Sequence, residues 1–191
     1  MFINNVLINI NKARILGSSD QCYDIMYSIT RAFQVKTMVE IGTHQGASCI
    51  VFCQAILDNK YIPKIYTIDN WSEAQFKQKA ESNLNMCGFL PYVTMIDGDS
   101  KIVIPELFST VGKVDLILID GYHNSVAVEG DFLNCKDFSD VILFHDTLTG
   151  DMPYLKMVRE CGFNVTSFPT RFVEGDGHLV GISLAIKGGV K

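Results

Sequence analysis

Between residues 37 and 145, five short β-rich runs alternate with helix-length segments, and some of the runs are apolar without alternation. The clearest is "VDLILID", residues 114–120, where Leu116 to Ile119 are apolar without interruption. A strand with one wet face alternates polar with apolar residues, whereas a strand covered by helices on both sides need not. Parallel strands also require long crossovers, and the helix-length segments supply them. Strands are therefore expected over 37–42, 64–70, 92–98, 114–120 and 140–145, with helices over 46–58, 73–86, 101–110 and 125–136. The fold class is α/β, a Rossmann-like, doubly wound, mostly parallel sheet.

Both flanks extend this pattern. Before the first strand, "SSDQCYDIMYSITRAF" sets Cys22, Ile25, Met26, Ile29 and Phe33 at helical spacing, with Ser18 or Ser19 as the N-cap. After the fifth strand, "DMPYLKMVRECG" reads as a helix stopped at Gly162. "FNVTSFPT" and "HLVGISLAIK" then read as strands around "RFVEGDG". That connection is too short for a helical crossover, so the two pair as an antiparallel hairpin and bring the sheet to seven strands. With 191 residues, 48% of them hydrophobic, and no linker or repeat, the chain suits a single domain preceded by an extension over 1–17.

Charge and cysteine usage narrow the partners. A formal net charge of -5, with Lys and Arg scattered, argues against a face for nucleic acid. The opening "MFINNVLINI" has no basic start and is broken by Asn4, Asn5 and Asn9, which argues against a signal peptide or membrane span. The six cysteines sit among apolar residues, as buried thiols of a reducing compartment do, so a soluble cytoplasmic protein with a small-molecule ligand is expected. Cys49 and Cys53 share a helix face, but no CxxC or Cys/His pattern marks a structural zinc.

The ligand loop should be "VEIGTHQGAS", since open α/β sheets bind ligands at the carboxyl ends of strands near the reversal of strand order. A dinucleotide loop needs GxGxxG, yet His44 stands at the second glycine position and no third glycine follows. Glu40 would repel a pyrophosphate but suits an ammonium group. S-adenosylmethionine carries an ammonium and a sulfonium. Its carboxylate could be met by backbone N–H groups of Gly42, Thr43, Gln45 and Gly46 and by the following helix N-terminus, aided by Ser48. A tight turn with a paired Glu is the plainer alternative. In "KIYTIDNW", Asp69 could accept both ribose hydroxyls, with Asn70 and Trp71 bordering the adenosine. In "DGDS", Asp99 and Ser100 could meet the adenine edge or simply cap the next helix.

"VEIGTHQGAS", "IYTIDNW", "DGDS", "VDLILIDGYHNSVAVEGDF" and "ILFHDT", in this order across residues 20–187, resemble the class I S-adenosylmethionine-dependent methyltransferases. Within them the chain resembles methyltransferase family 24, which includes small O-methyltransferases of macrolide and related biosynthesis. The resemblance implies a seven-stranded sheet with an antiparallel C-terminal hairpin strand and S-adenosylmethionine as cofactor. It also implies a pocket lined by Glu40, Gly42, Ser48, Asp69, Asn70, Asp99, Ser100 and Asp120.

Asp120, His123, His145 and Asp146 should converge on one rim, where titratable groups at adjacent strand ends mark an active site. Two roles compete for them. By resemblance, Asp120, His145 and Asp146 would hold a divalent metal, magnesium or manganese, although His145 stands where an acid is expected and imidazole suits manganese better. Alternatively His123 or His145 takes the acceptor's proton, with Asp120 or Asp146 fixing the ring. Either histidine could instead be a strand-end hydrogen-bonding residue. His44 and His178 read as solvent-facing, and "GDFLNCKDF" as a helix and turn whose charges form a wet face. The expected reaction is O-methylation of a small acceptor such as a sugar or polyol, with N-methylation open on the same scaffold. The alternatives are a catalytically degenerate methyltransferase-like binding protein and an NAD-dependent oxidoreductase. The acceptor would be covered by the N-terminal segment, the "GYHNS" loop or a second subunit of a homo-oligomer.

Overall fold

Every expected strand forms in the computed structural model, which describes residues 22–122, 124–147, 152–171 and 179–189. The elements run α1 (Cys22–Ala32), β1 (Thr37–Ile41), α2 (Ala47–Asp58), β2 (Lys64–Asp69), α3 (Ala74–Met86), a 3-10 turn (Leu90–Tyr92), β3 (Val93–Asp97), α4 (Ser100–Val111) and β4 (Leu116–Ile119). They continue with α5 (Ser125–Cys135), β5 (Val141–His145), α6 (Tyr154–Glu160), β6 (Phe163–Arg171) and β7 (Leu179–Lys187). The Ser18 or Ser19 cap, the extension over 1–17 and the hairpin tip with His178 lie outside the described residues.

The seven strands form one sheet in the order β3-β2-β1-β4-β5-β7-β6. The first five are parallel, and β7 runs antiparallel to both β5 and β6. Strand order reverses between β1 and β4, so their carboxyl ends open the crevice in which such sheets bind ligands.

Both faces are apolar because alternate side chains of each strand enter different helical layers. Met38, Ile65, Leu116, Leu118, Leu143 and Leu184 pack with Met26, Ile50, Phe52 and Leu84 of α1, α2 and α3. Their neighbours Val39, Ile41, Ile117, Ile119, Ile142 and Phe144 pack with Ile104, Phe108, Phe132 and Val158 of α4, α5 and α6. Helix α2 is buried on nearly every side, which explains why "ASCIVFCQAILD" shows no polar face.

Capping fixes where the helices leave the crevice. The Asp99 side chain accepts the Lys101 N–H at 2.9 Å and starts α4, and Asn124 accepts the Ala127 N–H at 3.0 Å and starts α5. Strand β3 begins one residue later than expected, because Pro91 and Tyr92 complete the 3-10 turn. Strand β4 ends before Asp120, whose N–H still donates to the Ile41 carbonyl at 2.8 Å. All six cysteines are free thiols. Among the described residues no helix is long and apolar enough to cross a membrane.

Candidate active site

A cavity of about 540 Å³ opens at the carboxyl ends of β1 to β5. That volume suits a small organic ligand. In strand order its wall takes Gly98, Asp99 and Ser100 after β3, Asp69 and Asn70 at β2, and, after β1, the run from Gly42 to Gln45 with Ala47 and Ser48, Gly46 standing outside it. Asp120, Gly121 and Tyr122 follow from β4, then His145 and Asp146 from β5, with Tyr23, Met26, Asp131 and Val180 closing the sides. The described wall therefore holds five aspartates and no lysine or arginine. Such a surface attracts cations and repels phosphates.

The glycine loop owes its shape to contact between strand ends. Gly42 has φ +97, and a Cβ there would lie 2.0 Å from the Asp120 carbonyl oxygen, so only glycine fits. Asp69 then holds the loop: its Oδ2 accepts the N–H groups of Thr43 and His44, each at 2.9 Å, and its Oδ1 accepts the Trp71 N–H at 2.9 Å. This corrects two expectations. Gly42, Thr43 and Gly46 have no N–H to offer a ligand carboxylate, since Gly42 donates to the Ile68 carbonyl at 2.9 Å and Gly46 to the Thr43 carbonyl at 2.8 Å, and Asp69 keeps about one of some four acceptor positions, enough for one ribose hydroxyl rather than both. The N–H groups opening α2 at Ala47 and Ser48 have no intrahelical acceptor and remain for an anionic group. Gln45 lines the cavity, and its carbonyl accepts Asn83 Nδ2 at 3.0 Å.

Glu40 is placed differently from the direct ammonium contact expected of it. It is fully buried and absent from the cavity wall. Because it alternates with Val39 and Ile41, it points into the α1–α3 layer with Met38. There its carboxylate accepts the hydroxyl of Ser48, the thiol of Cys49 at 2.7 Å and the hydroxyl of Thr67 at 2.7 Å. Thr67 in turn bonds Thr43. Ser48 does line the cavity. With its proton committed to Glu40, it presents lone pairs to the ligand, so the buried carboxylate acts through it.

Burial pushes the Glu40 carboxyl up from 4.5 to about 7, against the pull of its three donors. The folded state then holds one more proton than the unfolded chain between those values, so this group lowers stability as pH rises from about 4.5 to about 7. The loss is about 3 kcal/mol, complete above the folded value. Urea unfolding at pH 5 and pH 8 should show a larger decline for the wild type than for Glu40→Gln. Equal declines would remove Glu40 as the source.

Trp71 stands apart from the expected adenosine border. Its backbone is left-handed at φ 47, its ring is not in the cavity wall, and its buried Nε1 finds no acceptor among the described residues. Asn70 does reach the cavity, and its Nδ2 donates to the Tyr122 hydroxyl at 2.9 Å, joining the loops after β2 and β4.

Beyond β3, Asp99 serves as the α4 cap and also lines the cavity. The Ser100 hydroxyl donates at 2.6 Å to Oδ1 of Asp131. Asp131 was expected on a wet face of "GDFLNCKDF", but it is only 3% exposed and lines the cavity. Burial holds its carboxyl above the usual range. The missed signal is helical spacing, because Val128, Asp131, Phe132 and Cys135 are the buried residues of α5.

At the β4 and β5 ends, His145 Nδ1 lies 3.0 Å from Asp120 Oδ1 and 3.3 Å from Asp146 Oδ1. Asp146 takes a left-handed backbone, φ 53, of the kind retained at functional sites when surrounding structure enforces it. Two carboxylates at these distances favour the tautomer with its proton on Nδ1, which leaves the Nε2 lone pair as the basic site. The expected convergence of Asp120, His145 and Asp146 is therefore present, and His123 lies outside the described residues. Among the described residues no trio of His, Cys, Asp or Glu side chains is arranged to hold a metal ion. Asp120 and Asp146 both face Nδ1 of His145, and imidazole is a poor match for magnesium.

Solved structures share this architecture. The O-methyltransferase TomG of Streptomyces achromogenes, in complex with S-adenosylmethionine, superimposes with a TM-score of 0.74 at 20% identity, covering 97% of this chain and 90% of its own. An O-methyltransferase of Bacillus cereus in complex with S-adenosylhomocysteine gives 0.72 at 15% identity, over 97% and 90%. A curated relative, the uncharacterized protein y4gI of Sinorhizobium fredii, is 29% identical over 147 residues, or 73% of this chain. The match spans only 15% of that protein's length. The family model described as "Methyltransferase domain" matches residues 39–147, from β1 through the His145 rim. With more than half of its length matched, and the strand ends that line the cavity inside the match, the chain belongs to this methyltransferase family.

Proposed function

We propose that the protein transfers the methyl group of S-adenosylmethionine to an oxygen of a small-molecule acceptor. The observation that carries this reading is the cavity wall, which among the described residues holds five aspartates without a lysine or arginine and so fits a sulfonium and an ammonium and opposes the pyrophosphate of NAD. TomG, named an O-methyltransferase and solved with S-adenosylmethionine, points the same way.

Each wall residue then has a task. Asp69 takes a ribose hydroxyl, Ser48 receives the ammonium with Glu40 behind it, and the α2 N-terminus meets the carboxylate. When bound, S-adenosylmethionine supplies an electrophilic methyl on a sulfonium that leaves as a neutral thioether. His145 removes the acceptor's hydroxyl proton as the oxygen attacks, and Asp120 and Asp146 orient the ring and stabilise the imidazolium. Positioning contributes the rest, since in-line displacement depends on alignment. The free thiols fit a cytoplasmic setting.

Among the described residues the donors do not fit a resident metal, so the reading assigns proton removal to His145 without one. Turnover should persist in EDTA and gain nothing from added manganese or magnesium. A loss restored by either ion would return Asp120, His145 and Asp146 to a metal-binding role. The cofactor is tested by thermal shift with S-adenosylmethionine, S-adenosylhomocysteine and NAD. Stabilisation by NAD alone overturns the proposal, and tight binding with no labelled methyl reaching a broad panel of alcohols and phenols points to a binding protein.

A further inference from the structure

We propose that Asp131 reads the exocyclic amino group of the cofactor's adenine and so selects adenosine over its deaminated counterpart; this rests on the S-adenosylmethionine reading above. Asp131 is 3% exposed, yet it belongs to the cavity wall. One oxygen, Oδ1, is held by the Ser100 hydroxyl at 2.6 Å. For the other, Oδ2, no hydrogen bond is found among the described residues. Because Asp131 lines the cavity, this oxygen is an acceptor that a ligand N–H can use, and a hydrogen bond to an ionised carboxylate is among the stronger ones.

The neighbourhood keeps Oδ2 open. A Cβ at Gly121 would lie 3.7 Å from it, so the glycine leaves this approach uncovered by a side chain. The Ser100 hydroxyl is committed to Asp131, and Asp99 is an exposed side chain that caps α4, whereas Asp131 is buried and held in place. Among the adenosine's groups, the amino group is the donor that a fixed carboxylate acceptor can distinguish. A 6-oxo purine turns an acceptor toward the same oxygen and is repelled.

Calorimetry with S-adenosylhomocysteine and S-inosylhomocysteine tests this. The wild type should bind the adenine compound about 30-fold more tightly, the range for a hydrogen bond to a charged group. In Asp131→Asn, the amide oxygen can still accept from Ser100 while the amide nitrogen donates to a 6-oxo group, so the preference should fall to near parity. A purely structural role would weaken both ligands together and leave the ratio unchanged, which overturns the proposal. Gly121→Ala is the second variant, since its Cβ meets Ile41 Cγ2 at 3.4 Å and Asp131 Oδ2 at 3.7 Å, both ordinary contacts, while covering the oxygen. A folded Gly121→Ala protein that retains the full preference also counts against Asp131. Equal binding of both compounds by the wild type overturns this inference alone, and binding of neither overturns the cofactor reading with it.

Discussion

Replacing His145 by alanine is expected to lower the turnover of methyl transfer by about 10²–10⁴-fold, the usual contribution of a positioned general base. The dissociation constant for S-adenosylhomocysteine should stay unchanged. The separation follows from where the residue sits. His145 closes β5 and faces Asp120 and Asp146, whereas the ribose and amino-acid ends of the cofactor are assigned to Asp69, Ser48 and α2, on the far side of β1 and β4. Asp120→Asn should fall between wild type and His145→Ala. An amide oxygen can still accept from Nδ1, but it no longer stabilises the imidazolium as the proton arrives. Single-turnover kinetics with labelled cofactor, paired with calorimetry, separate the outcomes. Parallel loss of cofactor binding would make His145 a structural residue, and a larger loss in His123→Ala than in His145→Ala would move the base to His123.

The order of strands and helices was legible because both sheet faces are buried, which leaves runs such as Leu116 to Ile119 without a polar position. Hairpin pairing of β6 and β7 was legible from the shortness of their connection. The sequence also brought Asp120, His145 and Asp146 together correctly, since each sits at the carboxyl end of a neighbouring strand. It did not show which way Glu40 points. Strand parity with Met38 sends it to the α2 side, but charge alone suggested a direct ligand contact. Asp69 illustrates a different limit. Its place at the strand end was clear, whereas its commitment to Thr43, His44 and Trp71 depends on how the loop after β1 folds against β2. Asp131 was hidden because a charged residue was read by its chemistry instead of its place on the buried stripe of α5.

Gly42→Ala is expected to destabilise the protein by about 2–5 kcal/mol, the sum of left-handed strain near 1–2 and overpacking near 1–3 kcal/mol. Against a usual total of about 5–15 kcal/mol this is a large fraction. The added methyl would meet the Asp120 carbonyl carbon at 2.5 Å and the Gly121 nitrogen at 2.9 Å, besides the oxygen at 2.0 Å. Neither strand end can easily yield. The Gly42 N–H donates to Ile68 at 2.9 Å and the Asp120 N–H to Ile41 at 2.8 Å, so separating them breaks the ladder on both sides. Gly46→Ala is the matched control. It shares the left-handed backbone, φ +78, but its Cβ would meet Ala80 and Leu84 at 3.5–3.6 Å, which is ordinary contact. It should therefore cost the strain alone. Urea denaturation of the two variants isolates the close approach, and equal costs would mean that the strand ends part freely. Where Gly42→Ala remains folded at low temperature, turnover should still fall, because the displaced carbonyl belongs to Asp120, and moving that residue moves the carboxylate that orients His145.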